Sequence, residues 1–171
     1  MRMDAIDEYR WRRDPDLVRF DAASPTTETF ASFLAAFEYE LSVGLPGREA
    51  FALETPDGEH IGTIMYYNAD GESAELGISV AVSSAQGHGL GSRAVAAFLR
   101  YLWETHPFRR VVLHTLEWNE RARRCFTNAG FEPTSRVVRR GEAFVRFEAR
   151  REYWLLRDLQ GDFAFEDHPV V

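Results

Sequence analysis

Three glycines at alternate positions in Gln86-Gly87-His88-Gly89-Leu90-Gly91 let the backbone bend sharply, come close to an anion and aim several N–H groups at one point. The stretch lies between a β-like run ending near Val82 and an amphipathic run from Leu90 to Trp103, so the helix that follows adds its positive end. The chemistry that suits it is phosphate binding. Taken alone, the spacing fits a tight strand-to-helix connection with no ligand equally well. No Gly-Lys-Ser/Thr is present, which argues against a nucleoside triphosphate with magnesium. No acidic ribose partner follows in a βαβ unit, which argues against a dinucleotide fingerprint.

The elements that must position this loop follow from periodicity. Residues 4–13 read as a short helix stopped at Asp14-Pro15. A second helix is capped by Thr26 or Thr27 and carries Phe30, Phe33, Leu34, Phe37 and Leu41 at helical spacing up to Pro46-Gly47. The period then changes to two. Phe51 to Leu53, Ile61 to Tyr67 and Ala74 to Val82 are three strands joined as hairpins at Pro56-Asp-Gly58 and Asp70-Gly71. After the loop come a long helix ending near His106-Pro107, a buried strand from Arg110 to Leu116, and a helix from Asn119 to Asn128 closed by Gly130. Glu132 to Arg140 and Ala143 to Arg157 form a closing hairpin. This order predicts an α/β fold, a mixed and mostly antiparallel sheet with helices on its faces.

At 171 residues and 45% hydrophobic content the chain supports one domain, taken as residues 1–160, with an acidic C-terminal tail over 161–171. The charge of −7 argues against a nucleic-acid partner and favours a cationic ligand. All 20 basic residues are arginine, so no lysine side chain is open to acylation. No apolar run approaches the roughly 18 residues of a membrane span, and the first residues lack a signal peptide's apolar stretch. A cytoplasmic protein without membrane association is the expectation. The single cysteine, Cys125, excludes an internal disulfide and a multi-cysteine metal site; no metal cofactor is expected.

Joined to a second motif, the glycine loop gains meaning. Gln86-x-x-Gly89-x-Gly91 followed by Asn119-x-x-Ala122-x-x-x-Phe126-x-x-x-Gly130-Phe131 closely resembles the GNAT superfamily of N-acetyltransferases over roughly residues 50–157. Tyr9-Arg-Trp11 with Asp14-Pro15 resembles the opening helix of its ribosomal-protein N-terminal and aminoglycoside subgroups. Those relatives place a strand before that helix, whereas this chain starts almost on the helix. The resemblance therefore implies a GNAT-like sheet of six to seven strands whose fourth and fifth, in the family's count, splay apart to admit the pantetheine arm of acetyl-CoA.

The resemblance also implies the site. Amides from Gly87 through His88, Gly89 and Leu90 to Gly91, flanked by Gln86 and Ser92, hold the pyrophosphate, and backbone around Val80 to Val82 pairs with the arm and polarises the thioester carbonyl. A β-bulge between Glu75 and Gln86 is expected to aim that N–H. Asn119 hydrogen-bonds the arm and Phe126 lines it. His114 stands twelve residues before Phe126, the spacing of base and acid in the ribosomal-protein alanine enzymes, and an imidazole can accept an ammonium proton near neutral pH. Glu75 stands where other members carry a glutamate acting through water or holding a cationic substrate. Each of the two residues has a purely structural alternative: a satisfied strand histidine and a solvent-facing acid.

Phe126 departs from the family's tyrosine, which protonates the leaving sulfur. A thiolate can leave without that proton, with loss of up to the roughly 10²–10⁴-fold that acid catalysis contributes. The other outcome is a non-catalytic acyl-CoA-binding or sensor protein. The leading expectation is an acetyl-CoA-dependent N-acetyltransferase, monomer or homodimer, acting on a primary amine, either a peptide N-terminus or a small cationic amine. Cys125 reads as a small buried hydrophobe, and Arg121, Arg123 and Arg124 as a solvated helix face from which one member could meet the CoA 3′-phosphate.

Overall fold

The computed structural model describes residues 2–87 and 89–163, so His88 and most of the expected tail lie outside the described residues. Helix α1 (Arg2–Arg13) ends where expected. Asp14-Pro15 also starts an element: the Asp14 carboxylate accepts from the Asp16 N–H at 2.8 Å, and Pro15 occupies the first position of α2 (Pro15–Val18), where its missing N–H costs nothing. A 3₁₀ turn, Arg19–Asp21, completes this segment. The dipeptide is thus a start as well as the stop that the sequence predicts.

Helix α3 (Phe30–Val43) is capped by Thr29, whose hydroxyl accepts from the Ser32 N–H at 3.2 Å, rather than by Thr26 or Thr27. Thr26 Oγ1 instead accepts from the Glu28 N–H. Of the predicted apolar face only Phe33 is buried, and Leu41 is 56% exposed.

Six strands form one sheet in the order β1-β2-β3-β4-β6-β5: β1 (Glu49–Glu54), β2 (His60–Tyr67), β3 (Ser73–Val80), β4 (Arg110–Leu116), β5 (Glu132–Arg139) and β6 (Glu142–Arg150). Every neighbouring pair is antiparallel except β3 and β4. Among the described residues no strand precedes α1, which leaves the sheet at six. Alternation sorts the faces. Ile64, Tyr66, Ala74, Leu76, Val111 and Leu113 point into the core beneath α4 (Leu90–Thr105), α5 (Glu120–Asn128) and α6 (Arg151–Leu159). Tyr67, Glu75 and His114 have the opposite parity and lie on the face that α1 and the Arg19–Asp21 turn approach.

The closing hairpin differs from expectation in its second arm. Strand β6 stops at Arg150 and residues 151–159 are helical, because from there the apolar residues Trp154 and Leu155 recur on one side of a helix. Trp154 is buried, donates from Nε1 to the Ala129 carbonyl at 2.8 Å and stacks on Phe163 at 4.8 Å. The chain at Phe163 is therefore part of the packed fold, beyond the Gly161 at which the tail was expected to begin.

Gly130 closes α5 with φ at +93°, as its C-terminal position predicts. A Cβ there would stand 2.5 Å from Phe163 and 2.7 Å from the Trp154 ring, so sterics and backbone both demand glycine. Gly130→Ala is expected to lower the unfolding free energy by about 2–4 kcal/mol. Urea denaturation checks this, and a loss below about 0.5 kcal/mol would contradict the packing described.

Candidate active site

Strands β3 and β4 run parallel and pair over only Ser73, Ala74 and Glu75 against Arg110, Val111 and Val112. Beyond Glu75 they part. A cavity of about 360 Å³ occupies the gap, and five successive β3 residues, Leu76 to Val80, line it. Successive side chains point to opposite faces, so one cavity can touch all five only by reaching both faces of the sheet. On the helical side it meets Gln86, Gly87, Gly89, Gly91 and Ser92, with Asn119, Cys125 and Phe126 of the α5 segment; on the other it meets Leu17, Phe20, Asp21, Tyr67 and His114.

The edge of β3 is left with unpaired backbone. The Ala81 N–H donates to the Ile61 carbonyl at 2.8 Å, so by strand alternation Val80 and Ile78 turn their peptide groups toward the gap. The Val80 carbonyl accepts there from Gln86 Nε2 at 2.7 Å. The Val82 N–H also points at the Ile61 carbonyl, at 3.4 Å. Two amides on one carbonyl are the mark of a bulge, and they turn Val82 away from the cavity, which it does not line.

At the start of α4, Gly87 and Gly89 hold φ of +86° and +74°, a region open to glycine at little cost. Among the described residues no side chain caps α4, so its first amides have no side-chain acceptor. Gly91 lets α4 approach α5: a Cβ would meet Cys125 Sγ at 3.1 Å. Ser92 is buried and donates to the Cys125 carbonyl at 3.1 Å. Leu90 lines a separate apolar cavity with Leu53, Ile61 and Ala94, not this one. His88 lies outside the described residues.

Asn119 caps α5 by accepting the Ala122 N–H at 3.1 Å, while its Nδ2 makes no hydrogen bond among the described residues. Phe126 is buried against Phe131 and Phe147. No described group of three or more His, Cys, Asp or Glu residues could hold a metal, and no described helix is long and apolar enough to cross a membrane.

On the far face His114 and Glu75 meet directly, Nδ1 to Oε1 at 2.8 Å, with both side chains largely covered. Burial pushes the Glu75 carboxyl up, but hydrogen bonds from His114 first, then Asn68 and Tyr67, outweigh it and hold Glu75 below the ordinary carboxylate range. Burial, followed by the neighbouring Glu75, pushes the Tyr67 phenol well above its usual value, so it stays a proton donor. Asp21 keeps solvent contact across the cavity mouth, yet protein surrounds it on most sides and the lost hydration raises its carboxyl.

Sequence reasoning misses four groups at this site: Asp21 and Phe20 on the 3₁₀ turn, Tyr67, and Arg121. The helix-start signal in Asp14-Pro15 could have found the first two. Tyr67 sits directly across from Glu75 in the β2–β3 register, which the hairpin turn sets. Arg121, expected on a solvated face, donates to Gln86 Oε1 and lies over the Phe20 ring at 5.4 Å, bridging the two sides of the opening.

A match to the acetyltransferase (GNAT) domain family spans residues 2–132, and the chain belongs to that family. Its class is thus an acetyltransferase. A search of curated proteins gives no match. Among solved structures, the spermidine N-acetyltransferase of Vibrio cholerae, in complex with CoA and spermine, superposes with a TM-score of 0.79 at 16% identity, covering 91% of this chain and 94% of that one. The aminoglycoside acetyltransferase AAC(6')-Ib with coenzyme A gives 0.74 at 21% identity, with the same coverage of 91% and 94%. At these identities the likeness is one of fold, and it places the six-stranded sheet among GNAT folds.

Cys125 lies on the cavity wall as a thiol. Burial pushes it up, and the Ser92 hydroxyl and Arg121 charge offset only part of that. Alkylation of this single cysteine by iodoacetamide is expected to run about tenfold or more below free cysteine at pH 8 and to keep rising above pH 9. A rate that levels off below about pH 8.5 would contradict the half-buried, uncharged thiol.

Proposed function

We propose that this protein transfers the acetyl group of acetyl-CoA to a primary amine of a small cationic molecule. One observation carries the reading: the gap between β3 and β4 opens at one face onto the glycine loop and at the other onto His114, which Glu75 backs. Donor and acceptor can therefore meet through the sheet.

The residues present fit CoA. Open space surrounds the Cβ positions of Gly87 and Gly89, and the uncapped start of α4 supplies N–H donors for a pyrophosphate. The peptide groups of Ile78 and Val80 that face the gap, of which the Val80 carbonyl already accepts from Gln86, offer a strand-like edge to the amides of a pantetheine arm, and Asn119 Nδ2 offers one more donor. When bound, acetyl-CoA supplies the activated acyl group. An N–H of β3 in the gap is placed to stabilise negative charge on a carbonyl oxygen, which needs no special side chain.

His114 is the base in this reading, and Glu75 positions it. Glu75 is not on the cavity wall and is held ionised by several donors, which makes it a weak proton acceptor. It is better suited to accept from Nδ1, so that the opposite nitrogen, Nε2, carries the lone pair. The ammonium N–H breaks and Nε2–H forms; the freed nitrogen lone pair then bonds to the acetyl carbon as the C–S bond breaks, the sulfur leaving as the CoA thiolate. Asp21 at the mouth adds an acid that favours cations. The spermidine and aminoglycoside enzymes of the same fold act on amines of that kind, which supports a small cationic acceptor over a peptide N-terminus.

Phe126 favours one competing reading, an acyl-CoA sensor without turnover, since no proton donor stands in the family's tyrosine position. Incubation with acetyl-CoA and a panel of spermidine, kanamycin and a peptide with a free N-terminus, read by product mass, separates the two. Acetylated spermidine or kanamycin is expected. His114→Ala is expected to lower kcat/KM by about 10²–10³-fold, and Glu75→Gln by less, with acetyl-CoA binding retained. Tight acetyl-CoA binding with no product from any amine would establish the sensor instead.

A further inference from the structure

Arg139 ends β5, just before the two-residue turn Arg140-Gly141, in which both residues have positive φ. Other arginines of this hairpin have acid partners: Arg136 pairs with Glu117, and Arg146 and Arg150 both pair with Glu148. Among the described residues Arg139 forms no ion pair. Its guanidinium reaches back over the sheet and donates from Nη2 to His114 Nε2 at 3.2 Å.

A guanidinium only donates, so Nε2 must be the acceptor, and the ring is the neutral form with its proton on Nδ1 toward Glu75. That lone pair on Nε2 is the one a base must offer to an incoming ammonium. In the empty protein its own cation already covers it. The surroundings are those a cationic substrate would seek: Glu75 behind the ring, with Tyr67 and Asp21 near enough to feel one another's charge and, for Tyr67, that of Arg139.

We propose that Arg139 is a displaceable cap on the base, occupying in the free protein the position that the acceptor's ammonium takes. This rests on the reading of His114 as base. One lone pair accepts one strong donor, and two cations at that distance repel. An alkylammonium therefore enters as the guanidinium leaves. The move is short of obstacles, since Arg139 is exposed and its side chain is long. The contact is also productive: by donating to Nε2 it holds the ring in the tautomer that the proton transfer requires. The acceptor class that fits is a primary alkylammonium able to reach past an exposed guanidinium, hence an extended polyamine-like chain.

The test does not depend on turnover. Full-length protein carrying ¹⁵N-histidine is titrated with spermidine in the absence of acetyl-CoA, following the His114 Nε2 resonance, assigned by its absence in His114→Ala. Arg139→Met, which keeps length and loses the donor, is expected to shift that resonance before any amine is added and to bind spermidine about three- to tenfold more tightly. Arg139→Lys, which restores a cation, is expected to return toward wild-type affinity. Equal or weaker binding by Arg139→Met, or no response of His114 to spermidine in either protein, would overturn the proposal. Failure of the acetyl-transfer assay with this titration intact would sink the transferase reading and leave the cap standing.

Discussion

The structure turns on a break in backbone pairing. A sheet's interior strands satisfy their N–H and C=O groups on both edges, and leaving them unpaired inside a fold costs free energy. Here β3 and β4 are neighbours for three residues and then separate, which leaves the peptide groups of Ile78 and Val80 facing a gap in the middle of a six-stranded sheet. Gln86 satisfies one of them, the Val80 carbonyl. Most of what surrounds the gap follows from keeping it open: α4 and α5 pinned together by Gly91 and Ser92 on one face, the Arg19–Asp21 turn approaching β4 on the other, and Arg121 spanning from Gln86 to Phe20.

That opening gives the polar cluster behind it a purpose. Glu75 is the last β3 residue with a β4 partner, and His114 stands two residues past that partner, so the dyad sits at the fork where the strands part. In the proposed reaction, a carboxylate held low by its donors favours the imidazole proton on Nδ1 and would leave Nε2 to act as base. On the proposed reading the donor side needs little side-chain chemistry, because glycine backbone and a helix start would do the binding. Phe126, in place of the family's tyrosine, packs its ring against Phe131 and Phe147.

Much of this is legible in the chain because local chemistry dictates it. Glycine spacing marks the loop, alternation marks β1 to β3, and the run from Asn119 to Gly130 marks α5. What escapes depends on register and reach. Sequence can nominate Glu75 and His114 but not show that Nδ1 meets Oε1, which requires the parallel pairing of strands separated by a helix. Arg139 belongs to an edge hairpin whose register alone decides which residue it leans over. The helical turn after Arg150 reads as strand because Ala143 to Arg150 alternates so clearly that the change of period at Trp154 is absorbed into it. Asp14-Pro15 signals a helix start as well as a helix stop, and reading only the stop hides the segment that carries Phe20 and Asp21 to the acceptor mouth.

The central claim is that the gap beside β3 is the donor channel, and amide hydrogen exchange tests it most directly. Without ligand, the N–H groups of Ile78 and Val80 should exchange far faster than that of Ala81, which bonds Ile61. Saturating acetyl-CoA should protect Ile78 and Val80 by about tenfold or more, together with the first amides of α4. Binding that protects the α4 amides while leaving Ile78 and Val80 unchanged would contradict the account, since the arm would then lie somewhere other than between the parted strands.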